Sequence, residues 1–391
     1  YTWNGLAGGV TYTFTVKAVD HSGNRSEGVS VSGTTYDTTP AGPVTGLEGI
    51  PGDGNVVLTW TDPGDADLAY IQIECNEIPG PAQNVYPGTG TYTWSALAKG
   101  SSYTFTVTTR DTQGNLGAAV TVGPVPVILA GGGTISLVKV EGSSPLKWWE
   151  IHTFTTSGAL TFPSGYTSVT ADYLIVAGGG GAGHSGVYDC AGGGGAGGLL
   201  YKTGQTLSLT GSAVTVTVGA GGAANGGNGG TSSIGTAVAP GGGGGGNTDA
   251  TGKDGGSGGG GGAGAGTLSY SGGKGADTLK ATNSLYIDIE GYNGAAGSTG
   301  IPGGGGGGAA GMGIVGGSGG APWNAAAAGA AWIAAAATTN EFSRGGNAAG
   351  TGSGGAAGKN YGDGGSGGER GANMDGGAGH GGVVVIRFQR D

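Results

Sequence analysis

The sequence predicts an all-β protein of two architectures: β-sandwich repeats first, then a small β-sheet base carrying a bundle of extended glycine helices. Three observations predict it. An internal repeat runs at an offset of 91 residues, so that Tyr1-Thr2-Trp3 returns as Tyr92-Thr93-Trp94 and Tyr12-Thr13-Phe14-Thr15-Val16 as Tyr103-Thr104-Phe105-Thr106-Val107. Within each copy aromatic and aliphatic residues alternate with threonines, the period of a strand with one buried face. Glycine is unevenly spread: 25 of the 101 glycines fall in residues 1–170 and 76 in 171–391, where an average chain has about 7% throughout.

Bulk properties remove several function classes. Net charge is -10 with only 10% charged residues, a poor basis for holding nucleic-acid phosphates. The longest apolar run, Ala325 to Ala337, is broken by Gly329 and falls short of the ~20 residues of a membrane span, so no membrane insertion is expected. No basic segment ahead of an apolar stretch marks an export signal, and any such signal is expected upstream of Tyr1. Cys75 and Cys190 lie one in each region, which offers neither a disulfide framework nor a metal cluster.

Taking the elements in order, residues 1–38 hold the final strands of one sandwich and residues 39–128 a whole one. In the second, Val56, Leu58 and Trp60 share a strand face, as do Ile71, Ile73 and Cys75. Turns are expected at Pro51-Gly52-Asp53-Gly54, at Asp62-Pro63-Gly64-Asp65 and at the repeated Asp20–Asn24 and Asp111–Asn115 segments, where glycine supplies positive φ. Leu97 followed by Tyr103, and Leu6 by Tyr12, have the spacing of a tyrosine corner. On these residues the segment resembles a fibronectin type III domain. Residues 1–38 then lack most of their sandwich, so the chain is expected to be a piece of something longer. The alternative is that a neighbouring subunit supplies the missing strands.

Residues 129–146, with Gly131-Gly132-Gly133, read as a linker, and residues 147–391 as a glycine-rich domain. Its base is expected from strands around Trp148–Phe154, Leu160–Phe162, Tyr173–Val176, Leu207–Leu209, Val214–Val218 and the last, Val383–Phe388. Between them the runs Gly241–Gly246, Gly258–Gly262 and Gly303–Gly308 are interrupted by Leu268, Ile287, Ile289, Ile314, Val315 and Trp323, which is not linker composition. Nor is there the strict Gly-X-Y period of collagen. What remains is a bundle of polyproline-II-like helices, that is polyglycine II, whose backbone groups must pair with neighbouring chains. Only glycine lets chains approach that closely.

Four blocks appear in order: Ile151-His152-Thr153-Phe154-Thr155-Thr156-Ser157-Gly158, Leu174-Ile175-Val176-Ala177 leading into Gly178–Gly181, Val216-Thr217-Val218-Gly219, and Gly381-Gly382-Val383-Val384-Val385-Ile386-Arg387-Phe388. They resemble the glycine-rich domain at the ends of phage tail fibre and tail tip proteins. That resemblance implies a virion-tail location, a host surface receptor (a glycan or an outer-membrane protein) and other tail or fibre subunits as partners, in assemblies up to a homotrimer.

No catalytic cluster is read from the sequence. Gly252-Lys253 is followed by Asp254 and so lacks a phosphate-loop Ser or Thr, and His21, His152, His184 and His380 are scattered, with His152 expected on the solvent side of a strand. Gly272 to Lys280 fits a calcium nonapeptide but occurs once, whereas such sites need stacked turns; no metal or cofactor is expected. Three inserts then become the candidate receptor-binding loops: Tyr270 to Tyr292, with Tyr270, Tyr286 and Tyr292; Trp323 to Phe342, with Trp323, Trp332 and Phe342; and Asn360 to Asp375, with Tyr361, Glu369 and Arg370. The competing role for these aromatics is a minor core at the lattice edge. The expected function is a non-enzymatic receptor-binding adhesin at the distal end of a tail fibre. The alternative is a structural subunit of a bacterial extracellular filament or surface adhesin. An ice-binding role is disfavoured because regular Thr or Ala ranks are missing.

Overall fold

The computed structural model describes residues 1–390 apart from 141–146, 187–188, 265–267, 277–288, 299–302, 316–317, 329, 331, 334–336, 340, 349–355 and 368–373. It forms two compact units, residues 1–128 and 129–391, and its named elements are all strands, so the all-β expectation is borne out.

In the first unit β1 (Thr11–Val16) and β2 (Val29–Thr34) make an antiparallel hairpin. β3 (Thr45–Pro51), β4 (Asn55–Thr61), β5 (Leu68–Cys75), β6 (Gln83–Val85), β7 (Thr91–Ser95), β8 (Ser102–Asp111) and β9 (Val120–Pro126) follow. They form a three-stranded sheet, β3-β4-β7, and a four-stranded sheet, β6-β5-β8-β9, the fibronectin type III-like sandwich. Alternation does the sorting: every second residue of β8 is buried, and Phe105 and Val107 meet Val56, Leu58, Trp60, Ile71 and Ile73 in one core. Each such side chain contributes roughly 1.5–3 kcal/mol by leaving water.

The local signals are realised as atomic contacts. The Tyr103 hydroxyl accepts the Ala98 N–H at 3.1 Å, and Tyr12 repeats this on Ala7 at 3.0 Å. Replacing Tyr103 by Phe is expected to cost about 1–2 kcal/mol, because the Ala98 N–H loses its acceptor; the shift of the denaturant midpoint measures it. In the repeated turn, Asp111 Oδ1 accepts the N–H of Gln113 and of Asn115, as Asp20 Oδ1 does from Ser22 and Asn24. Gly23 and Gly114 take φ of 88° and 86° there. Burial opposes the charge on Asp111, but hydrogen bonds from Asn115, Gln113 and Gly114 outweigh it and hold the carboxyl below its ordinary value.

The second unit contains β10 (Thr134–Val140), β11 (Lys147–Phe154), β12 (Gly158–Thr161), β13 (Ser168–Val176), β14 (Leu199–Ser208), β15 (Ala213–Thr217), β16 (Ser232–Ile234) and β17 (Ala237–Ala239). The short pair β18 (Trp323–Asn324) and β19 (Glu341–Phe342) and the final β20 (Val383–Arg390) complete it. A five-stranded sheet of order β10-β11-β20-β13-β14 packs on a four-stranded one of order β12-β15-β16-β17. β20 therefore returns to the middle of the sheet, between β11 and β13. Phe154, Tyr173, Ile175, Val384, Ile386 and Phe388 face Leu160, Val214, Val216 and Ile234 in the core between the sheets.

Two sequence expectations are corrected here. Residues 134–140 are no linker but β10, the edge strand paired with β11. His152 is fully buried rather than solvent-facing: its Nδ1 meets the Gly132 carbonyl at 2.7 Å and its Nε2 meets Glu150 at 3.0 Å. The buried Glu150 carboxylate also accepts the N–H groups of Leu129 and Ala130. The apparent linker residues have backbone groups that need partners once buried, and the Glu150 carboxylate and the His152 ring inside the sheet provide them.

The glycine runs form an ordered lattice. Gly192, Gly195 and Gly198 donate their N–H to Gly246, Gly243 and Pro240; Gly193 and Ala196 donate to Gly304 and Gly307; Gly194 and Gly197 donate to Gly365 and Gly362. Every third residue thus addresses the same neighbour, at 2.8–3.0 Å. The carbonyls of the run accept from three further segments: from Ala177, Gly180 and Gly183, from Ser257 and Gly260, and from Gly346. Run 192–198 is surrounded by six segments, and the Ala196 methyl is the one side chain the run itself carries. A β-carbon on Gly193 or Gly194 would fall onto the carbonyl of Gly346 or Gly180. Each hydrogen bond contributes a net ~0.5–1.5 kcal/mol, which offsets the entropy that glycine loses on ordering.

Candidate binding surface

The lattice sorts its connections into two ends. Run 177–183 leaves β13 at Val176, and run 192–198 enters β14 at Leu199, so the Ala177–Gly198 bond lies at the sheet and the Gly183–Gly192 bond lies far from it. By the same tracing Gly246, Ala263 and Met374 reach the far end, through Gly192, Cys190 and Ser185 respectively. Residues remote in sequence meet there. His184 Nδ1 lies 3.3 Å from Asp375 Oδ1, which also accepts a hydrogen bond from Asn225 Nδ2 at 3.0 Å. Asn247 Oδ1 accepts the His184 N–H and Thr248 the Gly186 N–H. The Asp375 side chain is 76% exposed. Tyr270 is half-buried nearby in the chain path, and burial together with the Asp249 carboxylate pushes its phenol up. Imidazole, carboxylates, amides and a phenol on a rigid frame suit hydrogen bonding and ring stacking with a polar partner.

Of the sequence-predicted residues, Tyr270 belongs to this end. Tyr292 lies within the lattice, its N–H donating to Gly308 and its carbonyl accepting from Gly258. Trp323, Trp332 and Phe342 lie at the sheet. Phe342 is fully buried and, with Ile333, covers Leu174, Val176, Val383 and Val385 on the face opposite the inter-sheet core. Trp323 stands 5.7 Å from Tyr201, and the Arg387 guanidinium is held between Trp149 and Trp332 at 4.1 and 4.3 Å while pairing with Asp172. Tyr361 packs edge-on to His380. Beside it Asp363 is buried, which pushes its carboxyl up although the Arg344, Asn360 and Lys359 N–H groups draw it down. Tyr286, Glu369 and Arg370, and residues 277–280 of the nonapeptide, lie outside the described residues.

Sequence reasoning missed His184, Asn225, Asn247 and Asp375 as a group. The available signal was that each directly borders a glycine segment, where a loop on a rigid frame begins.

Comparison with known proteins adds the following. Chitinase A1 of Niallia circulans is 31% identical over 182 residues, covering 42% of this chain; the chain matches only 23% of the chitinase's length. This corrects the reading of the chain as non-enzymatic, because the similar protein is by name an enzyme, while the match establishes no activity here. Among solved structures, domains d3-d4 of the rat CD45 extracellular region match at 16% identity and a TM-score of 0.24, over 31% of this chain and 66% of theirs. The FN1-FN3 domains of chicken CNTN1 match at 14% identity and a TM-score of 0.21, over 44% of this chain and 58% of theirs. The family model for the glycine-rich domain matches residues 154–389. That span runs from the end of β11 through the lattice into β20 and takes in more than half of the sequence: the chain belongs to the glycine-rich domain family.

Proposed function

We propose that the chain is a receptor-binding component at the distal end of a phage tail fibre or tail tip. Fibronectin-like sandwich and glycine-rich domain together carry a structural or adhesive role; the finer reading is that the loops at the far end of the lattice contact the host surface. The observation that carries it is the meeting of His184, Asn225, Asn247 and Asp375 on a frame built of glycine with a few small buried residues such as Ala182, Ala196 and Ser257. A host glycan or outer-membrane protein is the receptor, other tail or fibre subunits are the structural partners, and the virion tail is the location. The threefold hydrogen-bond period supports polyglycine II as the geometry of the runs.

The test is binding of the labelled protein to a panel of bacterial strains. Against a strain that binds, the variant His184→Ala/Asp375→Asn/Tyr270→Ala is expected to lose at least about tenfold in affinity, a loss of three contacts of about 0.5 kcal/mol or more each, with an unchanged unfolding midpoint. Full binding by this variant, or a panel without any bound strain, would sink the proposal.

A further inference from the structure

Beside the middle of the lattice, away from its far end, two segments close around one buried carboxylate. Asp363 is 4% exposed; its Oδ1 accepts the Arg344 N–H at 2.8 Å and its Oδ2 the Asn360 N–H at 2.9 Å. The Lys359 N–H adds a third bond, and the Gly364 N–H donates to the Arg344 carbonyl at 2.9 Å. Residue 344 and residues 359–360 are thereby held to one another. Gly346 donates to Gly194 and Gly365 accepts from it, midway along run 192–198, so the arrangement stands on the rigid frame.

Between the two segments opens a cleft of about 380 Å³, lined by Arg344, Asn347, Lys359, Asn360, Asp363 and Ser366 together with main chain. Its walls offer mostly donors. Asn347 commits its Oδ1 to the Gly319 N–H at 2.9 Å, which leaves Nδ2 as the free end of that amide. Arg344 gives Nη2 to Glu341 at 2.6 Å, and among the described residues neither its Nη1 nor the Lys359 ammonium meets a carboxylate. The nearby carboxylates are already engaged, Glu341 by Arg344 and Asp363 by three main-chain N–H groups. Two cations and an amide donor around one cleft complement an oxyanion, whose oxygens only accept. In a chain of net charge -10 that grouping goes against the general composition.

We infer that this cleft binds the phosphate monoester of a sugar. Lysine meets a phosphate as a point charge and arginine as a planar fork. Size points to the carrier: the cleft, at about 380 Å³, falls within the roughly 300–1,000 Å³ of small-molecule sites and is larger than one ion requires. The Asn360 amide and the Ser366 hydroxyl, each able to donate and accept, suit the sugar's hydroxyls. The site shares no residue with the far-end group and does not rest on the adhesive reading.

Calorimetric titration of the full chain with glucose-6-phosphate, inorganic phosphate and glucose tests this. Glucose-6-phosphate is expected to bind with a Kd of about 1 mM or tighter, and inorganic phosphate at least about threefold more weakly. Glucose should give no measurable heat. Lys359→Gln changes an exposed side chain and should weaken binding of the sugar phosphate at least about tenfold, with an unchanged unfolding midpoint. Lys359→Arg should keep most of the affinity. No binding of glucose-6-phosphate up to about 10 mM would overturn the inference. So would equal affinity for glucose or for inorganic phosphate, or unchanged binding by Lys359→Gln. The far-end variant is expected to bind the sugar phosphate like the parent chain, so adhesion and phosphate binding fail separately.

Discussion

Replacing Gly194 by alanine is expected to destabilise the glycine-rich unit by on the order of 4 kcal/mol or more, a large part of the stability of an ordinary domain. The new methyl group would lie on the Gly180 carbonyl. That carbonyl is main chain and cannot turn aside, so two runs must separate. Separation stretches the bonds that Gly194 makes to Gly365 and accepts from Gly346, so overpacking and lost hydrogen bonding act together. The control is Gly381→Ala. Its β-carbon would meet only the Gly219 carbonyl oxygen, at 3.7 Å, an ordinary contact, and the change should stay within about 1 kcal/mol. Thermal or denaturant unfolding of both variants decides the matter. Equal and small effects would mean that the runs are not packed backbone to backbone.

The second large effect is expected at Phe342. Its truncation to alanine should cost roughly 3–5 kcal/mol, because the ring is wholly buried against the sheet beside Ile333 and 6.1 Å from Trp323. Deleting residues 323–342 should unfold the glycine-rich unit outright, since Leu174, Val176, Val383 and Val385 would lose their cover. A deletion here that abolished cell binding would thus report unfolding, and the far-end substitutions are the informative ones. Circular dichroism of the deletion checks this: retained β structure with a native unfolding midpoint would show that the insert is dispensable to the fold.

What could be read in advance follows from the range of the forces involved. Tyr103 and Ala98, or Asp111 and Asn115, are neighbours in sequence, and their bonds are set by spacing alone. The lattice was legible as a material, because so much glycine beside returning strands has few other uses. Its wiring was not. Gly193 meets Gly304 rather than another glycine, and no side chain at either position records the choice. The same silence hid the far-end group, since His184 and Asp375 are brought together by runs whose partners cannot be assigned from sequence. The role of residues 323–342 did leave a trace. Tyr173-Leu174-Ile175-Val176 and Val383-Val384-Val385-Ile386 are unbroken apolar runs, as strands are when covered on both faces, and one cover had to come from elsewhere in the chain. β10 was obscured by the glycines ahead of it, and His152 by a buried carboxylate two residues away that no periodicity reveals.

The threefold hydrogen-bond period of run 192–198 also limits how such a protein can change length. Adding one residue inside a run turns everything beyond it by a third of a turn, so that each N–H faces the wrong neighbour. Adding three restores the phase and only lengthens the rod. Between runs no phase needs to be kept, and loops can gain or lose residues singly. The lattice therefore predicts a ratchet on variation: frame lengths should move in steps of three, while the surface offered to the outside is free to change one residue at a time.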